Sequence, residues 1–381
     1  MDKATASEGK ASYPRHENLD EAVGFLASLV STPSFSREES ATADLWENWL
    51  KEKNAGRVER LHDNVFVVAD GFSHDRPTLM LNSHHDTVRP ASTYTRNPFE
   101  AVVEDGRLYG LGSNDAGASG VALAFAFMQL VSSGRLPFNL ILAITAAEEV
   151  MGECGMRAFL PHLAGRGLTP DMVLVGEPTG MQPAVAERGL LVLDATVAGK
   201  SGHAARNEGI NAIYRAIEDI TALRNFAPEA VSDVLGPIKV SVTMIDAGTQ
   251  HNVVPDVCSY VVDVRTTDAY SNEETVELLR NTVRWSELKP RSTRVHASVI
   301  PACHPLVRSA VALGRVPFVS PTTSDMALMH GIPSLKMGPG ESSRSHTADE
   351  FILLEELNEA LHLYPALISG IDVSGLDFRH R

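Results

Sequence analysis

Four short and almost uninterrupted apolar runs, Val65 to Ala69, Thr78 to Asn82, Leu140 to Ala146 and Met172 to Val175, most constrain what this chain can fold into. They are too short for core helices and too continuous for half-exposed strands, so they read as strands covered on both faces. Between them, Gly120 to Val131 is apolar nearly all round, as a buried helix is. Strand and helix alternating in this way predict an α/β sheet. Two helices, Asp20 to Leu29 and Glu38 to Leu50, precede it, and Ser36 with Glu39 forms a candidate capping box for the second.

From Leu190 the texture changes. Leu191 to Val197, a helix-like Asn211 to Leu223, Lys239 to Ile245, Cys258 to Arg265, a helix-like Glu273 to Trp285 and Arg294 to Ile300 give the order β-α-β-β-α-β of a ferredoxin-like module. After about residue 303 the α/β texture resumes, with a strand at Ser334 to Met337 and a closing helix, Leu353 to Ile368, expected to be interrupted by Pro365. The outer domain is therefore read as residues 1–188 and 301–381, and the inserted one as 189–300.

The apolar runs end in a recurring way. His84 and Asp86, Glu148 and Glu149, and Glu177 each fall just past a predicted strand, where open α/β sheets bind their ligands. Taken singly, a histidine or an acid is more often an ordinary solvated or hydrogen-bonded side chain. Glu148-Glu149 is different, because two acids directly after a buried strand repel unless a metal or a proton neutralises one. With Asp115 and His346, the set mixes imidazoles with carboxylates, which suits zinc, cobalt or manganese better than a thiolate-selective or all-oxygen site. A carboxylate bridging two such ions about 3.5–4 Å apart would acidify a shared water and aim it at a carbonyl, so hydrolysis is the reaction expected.

Charge and cysteines narrow the classes further. A formal charge of −15, with no cluster of Lys or Arg, argues against a nucleic-acid partner. Cys154, Cys258 and Cys303 are too scattered for a disulfide framework, which fits a reducing, cytoplasmic setting. The first 18 residues are polar and nowhere do 18 apolar residues run together, so neither secretion nor a membrane is expected. Gly110-Leu111-Gly112 is a weak dinucleotide signal, since Asp115 stands where that fingerprint needs glycine, and there is no Gly-x-Ser-x-Gly elbow for a serine hydrolase.

Together these residues resemble the metallohydrolase family of aminoacylases, acetylornithine deacetylases, succinyl-diaminopimelate desuccinylases and glutamate carboxypeptidases. The motifs in order are His84-x-Asp86, Gly110 to Asp115, Glu148-Glu149, Gly176-Glu177-Pro178-Thr179, Gly199 to His203, Asn252 to Asp256, Asp263-Val264-Arg265, Thr323-Ser324-Asp325 and His346. The resemblance implies a zinc-peptidase-like fold, a doubly wound mixed sheet carrying an inserted ferredoxin-like α+β domain that dimerises and serves as a lid. It implies two Zn2+ per subunit, with Co2+ or Mn2+ as substitutes: His84 and Glu177 on one, Glu149 and His346 on the other, Asp115 between them. Glu148 would be the general base, Asp86 would orient His84 through its far ring nitrogen, and His203 would stabilise the oxyanion in a homodimer. Asn252, Arg265, Thr323 and Ser324 would hold the substrate carboxylate, although Arg265 could instead pair with Asp263 or Asp268 and Asn252 could merely shape a turn.

Departures from the family pattern bear on substrate. Ala116-Gly117-Ala118 replaces the usual Met-Lys-Gly after Asp115, and Ala204-Ala205-Arg206-Asn207 replaces the usual Ser-Ser-x-Pro after His203. Asn82 to Val88 with Gly112 to Asp115 is most similar to acetylornithine deacetylases of arginine biosynthesis. N-acetylornithine is therefore the expected substrate, with N-succinylornithine, N-acetylcitrulline, succinyl-diaminopimelate or a dipeptide as alternatives. A non-catalytic metal-binding sensor, the alternative from another class, would lack the base, and Glu148 is present.

Overall fold

The computed structural model describes residues 13–134, 136–206 and 208–374, so most of the polar opening segment and Asn207 lie outside it. The chain divides into two compact units. The first runs to Pro183 and includes Ala302–Pro317 and the chain from Leu335; the second comprises Ala184–Pro301 and Phe318–Ser334.

The first unit is built on a sheet in the order Arg57–Leu61, Asn64–Val68, Asn139–Thr145, Thr78–His84, Met172–Val175, Ser334–Lys336. The first two strands form a hairpin, and Asn64–Val68 also runs antiparallel to Asn139–Thr145. Thr78–His84 is parallel to both of its neighbours. The sheet is thus mixed, with every residue of the strands Thr78–His84, Asn139–Thr145 and Met172–Val175 buried, as their uninterrupted apolar sequences predict. Parallel strands deliver their carboxyl ends to one edge. His84 pairs with Thr145 and Asn82 with Val175, so continuing that register sets Glu177 level with His84.

Helix Ala118–Ser133 is buried over most of its surface, which its all-round apolar composition requires. The helices Leu19–Val30 and Ser40–Glu52 meet through an aromatic cluster in which Phe25 stacks on Trp49 at 4.2 Å and meets Trp46 edge-on at 4.7 Å. The closing helix Leu354–Ser369 continues through Pro365 without the expected interruption. Its buried Leu357, Leu361, Tyr364, Leu367 and Ile368 explain why: each buried side chain contributes about 1.5–3 kcal/mol, against about 3 kcal/mol for one internal proline. The expected capping box also fails. Helix Ser40–Glu52 has no side-chain cap, because Ser36 and Glu39 are engaged elsewhere, as described below.

In the second unit, Gly189–Ala198, Lys239–Ala247, Val257–Thr266 and Ser286–Pro290 form an antiparallel sheet in the order Lys239–Ala247, Val257–Thr266, Gly189–Ala198, Ser286–Pro290. With helices Ala212–Arg224 and Asn272–Thr282, this is the ferredoxin-like arrangement. Its fourth strand is not the expected one. The second helix stops at Thr282, and Ser286–Pro290, with only Leu288 buried, takes the sheet edge that had been assigned to 294–300. One inward side chain is too faint an alternation to mark a strand, whereas Val283 and Trp285 extend the helical spacing. Within 294–300, Ser298–Val299 pairs instead with Ala184–Glu187, which also pairs in parallel with Phe318–Ser320. The unit therefore takes in 318–334, a segment beyond the sequence-drawn boundary at residue 300.

Candidate metal centre

His84 closes its strand with the side chain buried. Its Nδ1 lies 2.9 Å from the backbone carbonyl of Asp86, which can only accept, so Nδ1 carries a proton and Nε2 is the nitrogen turned toward the neighbouring carboxylates. That Nε2 faces Asp115 Oδ1 at 3.3 Å and Glu177 Oε1 at 3.6 Å. The other oxygen of Asp115, Oδ2, lies 3.7 Å from His346 Nε2, which is 3.0 Å from Glu149 Oε2. Asp115 therefore turns one oxygen to each imidazole. His84, Asp115 and Glu177 bring one potential ligand atom apiece within 4.8 Å of one another, and so do Asp115, Glu149 and His346; His84, Glu148 and Glu149 form a third such group.

Backbone geometry fixes these side chains. After strand Asn139–Thr145, four successive amides are each held by a side chain from elsewhere: Ala146 donates to Asn64 at 3.0 Å, Ala147 to Glu39 at 3.0 Å, Glu148 to Asp86 Oδ1 at 2.9 Å and Glu149 to Asp86 Oδ2 at 3.2 Å. Ser36 donates to the same Oδ2 at 2.7 Å. This is the task of the supposed capping residues. Asp86 has a double position: its carbonyl accepts from the far nitrogen of His84 with its carboxylate 3.5 Å from the same nitrogen, and that carboxylate also anchors the paired glutamates. Before Glu177, Gly176 passes so close to helix Ala118–Ser133 that a Cβ would meet Leu123 at 2.7 Å and Ser119 at 2.9 Å. Only glycine brings Glu177 in. The Asp115–Ala116 peptide is cis, and His346 adopts a left-handed backbone, φ 57°.

Asn114 and Glu350 tie the Asp115 turn to the segment bearing His346. The Asn114 amide pairs with the backbone of Glu341, donating at 3.1 Å and accepting at 3.0 Å, and Gly340 next to it, φ 87°, would put a Cβ 2.3 Å from Asn114 Oδ1. Glu350, buried, accepts from Gly112, Asn114 and Asp115. Sequence reading missed Asn64 and Glu350, which act through the backbone and carry no motif of their own, and it gave Glu39 the task of a helix cap and Asn114 no task within its motif.

The electrostatics call for cations. Burial pushes the Glu177 carboxyl up to about 8, with repulsion from Asp115 adding to it against the pull of His84 and Lys336. Hydrogen bonding to Glu149 raises His346 to about 9. Burial works against a proton on His84, yet Asp115, Asp86 and the neighbouring glutamates hold its pKa well above the usual value. Burial likewise opposes ionisation of Asp115, and His84 outweighs it, so this carboxyl is lowered. Protons here do what divalent ions would do. Two imidazoles and three carboxylates in two overlapping groups suit Zn2+, Co2+ or Mn2+, so the residues present fit a pair of such ions.

The remaining sequence-derived site residues all lie in the second unit, separate from this cluster in the chain's division. His203 and Asn252 are neighbours: Gly202–His203 pairs with Val253–Val254, and the Ala204 amide donates to the Asn252 carbonyl at 3.1 Å. His203 Nδ1 accepts from Ala205. Arg265 is paired with Asp263, Nε to Oδ1 at 2.9 Å and a second bond at 3.2 Å. Ser324 is buried with its hydroxyl donating to Glu187 at 2.9 Å, and Thr323 donates weakly to the Arg188 carbonyl at 3.5 Å.

The profile of Peptidase family M20/M25/M40 matches residues 80–370. A succinyl-diaminopimelate desuccinylase of Dinoroseobacter shibae is 28% identical over 376 residues, covering 92% of this chain and 99% of its own. An acetylornithine deacetylase of Edwardsiella ictaluri is 28% identical over 368 residues, covering 88% and 93%. The crystal structure of Bacillus subtilis YXEP protein, a dinuclear metal binding peptidase, superposes with a TM-score of 0.68 at 19% identity, covering 93% of this chain and 98% of that one.

Proposed function

The chain belongs to Peptidase family M20/M25/M40, and we propose from that premise that it removes the N-acyl group of a small amino acid, with N-acetylornithine the favoured substrate. N-succinylornithine, N-acetylcitrulline, succinyl-diaminopimelate and dipeptides are the alternatives; the two types of relative, desuccinylase and deacetylase, match at the same 28%. The observation that carries the hydrolase reading is Asp115, whose two oxygens face two imidazole–carboxylate sets. His84 and Glu177 would hold one divalent ion, Glu149 and His346 the other, and Asp115 both; Zn2+ is the favoured ion. Such ions supply Lewis acidity, which makes water a better nucleophile and a carbonyl a better electrophile.

The chain's own residues do the rest. Glu148, next to Glu149 and within reach of His84, takes a proton from the attacking water and returns it to the departing amine. Asp86, holding the amides of both glutamates, keeps the base and its neighbouring ligand in fixed relation. His203 stabilises the oxyanion, and Asn252, Arg265, Thr323 and Ser324 are the substrate-binding candidates, of which the exposed Asn252 is the most available. A homodimer through the second unit is supported by its open edge strand Lys239–Ala247, where Met244 and Ile245 are 66% and 56% exposed, and by exposed Tyr214 and Ile217 on helix Ala212–Arg224.

The test is a panel of N-acyl amino acids and dipeptides assayed with metal-depleted protein before and after adding Zn2+, Co2+ or Mn2+. Turnover of acetylornithine that depends on added metal is expected. Turnover of dipeptides alone would remove the acetylornithine assignment, and turnover of every substrate without metal would remove the metallohydrolase reading.

A further inference from the structure

Glu350 lies four residues after His346, and three amides converge on its carboxylate. Oε1 accepts from Asn114 at 2.9 Å and from Asp115 at 2.9 Å, and Oε2 accepts from Gly112 at 3.1 Å. The backbone carbonyl of Glu350 takes a further bond, from Gly110 at 2.9 Å. The residue is 2% exposed, so these amides have carboxyl oxygens as acceptors in place of water, although burial and the nearby Asp115 push this carboxyl up to about 8. Neither oxygen is spare.

We propose that Glu350 is a positioning residue that fixes Asp115 relative to His346 and so selectively sets the affinity of the metal position on the His346 side. The chain connectivity carries the selectivity. Asp115 belongs to both ligand groups and Glu350 binds its amide, but only the group with His346 has a second member on the short segment that carries Glu350, so that group loses two constraints where the other loses one. His84 and Glu177 follow sheet strands whose register is set independently of that segment. Two accepting oxygens are required because all three partners are N–H donors. The amide end of a glutamine would turn its own N–H groups toward at least one of them, and the turn carrying Asp115 would have to open.

The inference rests on the two-metal reading above, and the experiment separates the two. Full-length protein freed of metal by chelation is titrated calorimetrically with Zn2+, alongside Glu350→Gln, Glu350→Asp and a control, Glu356→Gln, which removes the buried partner of Arg344 near the same segment. The wild type is expected to bind two ions. Glu350→Gln should keep one binding event within about threefold and weaken the other about 10–100-fold. Glu350→Asp, which retains the carboxylate, should fall between them, and carries the test if the glutamine variant does not fold. The control should lower Tm with both affinities unchanged. His346→Ala and Glu350→Gln should be non-additive in a double-mutant cycle, the pair costing less affinity than the sum of the two single losses. Two events of unchanged affinity, or both weakened in step with Tm, would overturn the role of Glu350 alone. Fewer than two ions on the wild type would overturn the two-metal reading and this inference with it.

Discussion

The two units treat their polar side chains in opposite ways. In the first, carboxylates that repel one another crowd around two imidazoles: burial and repulsion from Asp115 hold Glu177 up to about 8, and the bond to Glu149 holds His346 up to about 9. In the second, Arg265 is matched by Asp263, Ser324 by Glu187 and His203 by a neighbouring amide. Groups that satisfy one another advertise no ligand; carboxylates crowded together favour added positive charge, whether from protons or from cations. The first unit thereby states its chemistry, and the second leaves its contribution to be found by experiment.

The sharpest way to break this contrast is at the base. Glu148→Ala should lower kcat by about 10^2–10^4-fold while both ions stay bound, as measured by turnover and metal content together. Loss of metal in parallel would make Glu148 a ligand instead. Next in size is Asp86→Asn, which turns donor N–H groups toward the amides of Glu148 and Glu149; a loss of about 10–100-fold in metal affinity or activity is expected. Arg265→Ala tests the other side of the comparison. If Arg265 serves only Asp263, an ion pair of this exposure contributes about 0–1 kcal/mol and KM should hardly move; a KM rise above tenfold would give the second unit a substrate contact.

A smaller effect concerns pH. His346 has a raised pKa, so its contribution to the metal-free fold is complete below its unfolded value and is lost as pH rises through about 9. Glu177 is raised too, which for a carboxyl means that the fold favours the protonated form and loses stability as pH climbs from the unfolded value to about 8, above which the loss is complete. Both act in one direction. The Tm of metal-free protein should fall between pH 6.5 and 9, whereas loaded protein should change less, and equal slopes by calorimetry would refute the assignment. Smallest of all, Met244→Glu should shift the protein toward monomer in light scattering with little change in Tm, since the side chain is 66% exposed.

Much of this was legible before any coordinates. Buried parallel strands have an unmistakable texture, and ligands at their carboxyl ends follow from topology, which is why His84, Glu149 and Glu177 could be singled out. The illegible parts share one cause. Ser36 and Glu39 have the spacing of a local cap, but their partners are Asp86 and Ala147, far along the chain, and nothing local distinguishes the two outcomes. Glu350 reads as one more acid beside Asp349 until the Asp115 turn is folded against it. Strand Ser286–Pro290 has a single inward residue, and Pro365 breaks a propensity rule that packing overrides.

The left-handed backbone at His346 has a practical corollary. Glycine tolerates that conformation without penalty, and the imidazole it would replace is 53% exposed. His346→Gly should consequently leave the chain path undisturbed and open a ring-sized gap at the surface. Free imidazole in the buffer would fit it, so the ligand role proposed for His346 is one that the solvent can lend back.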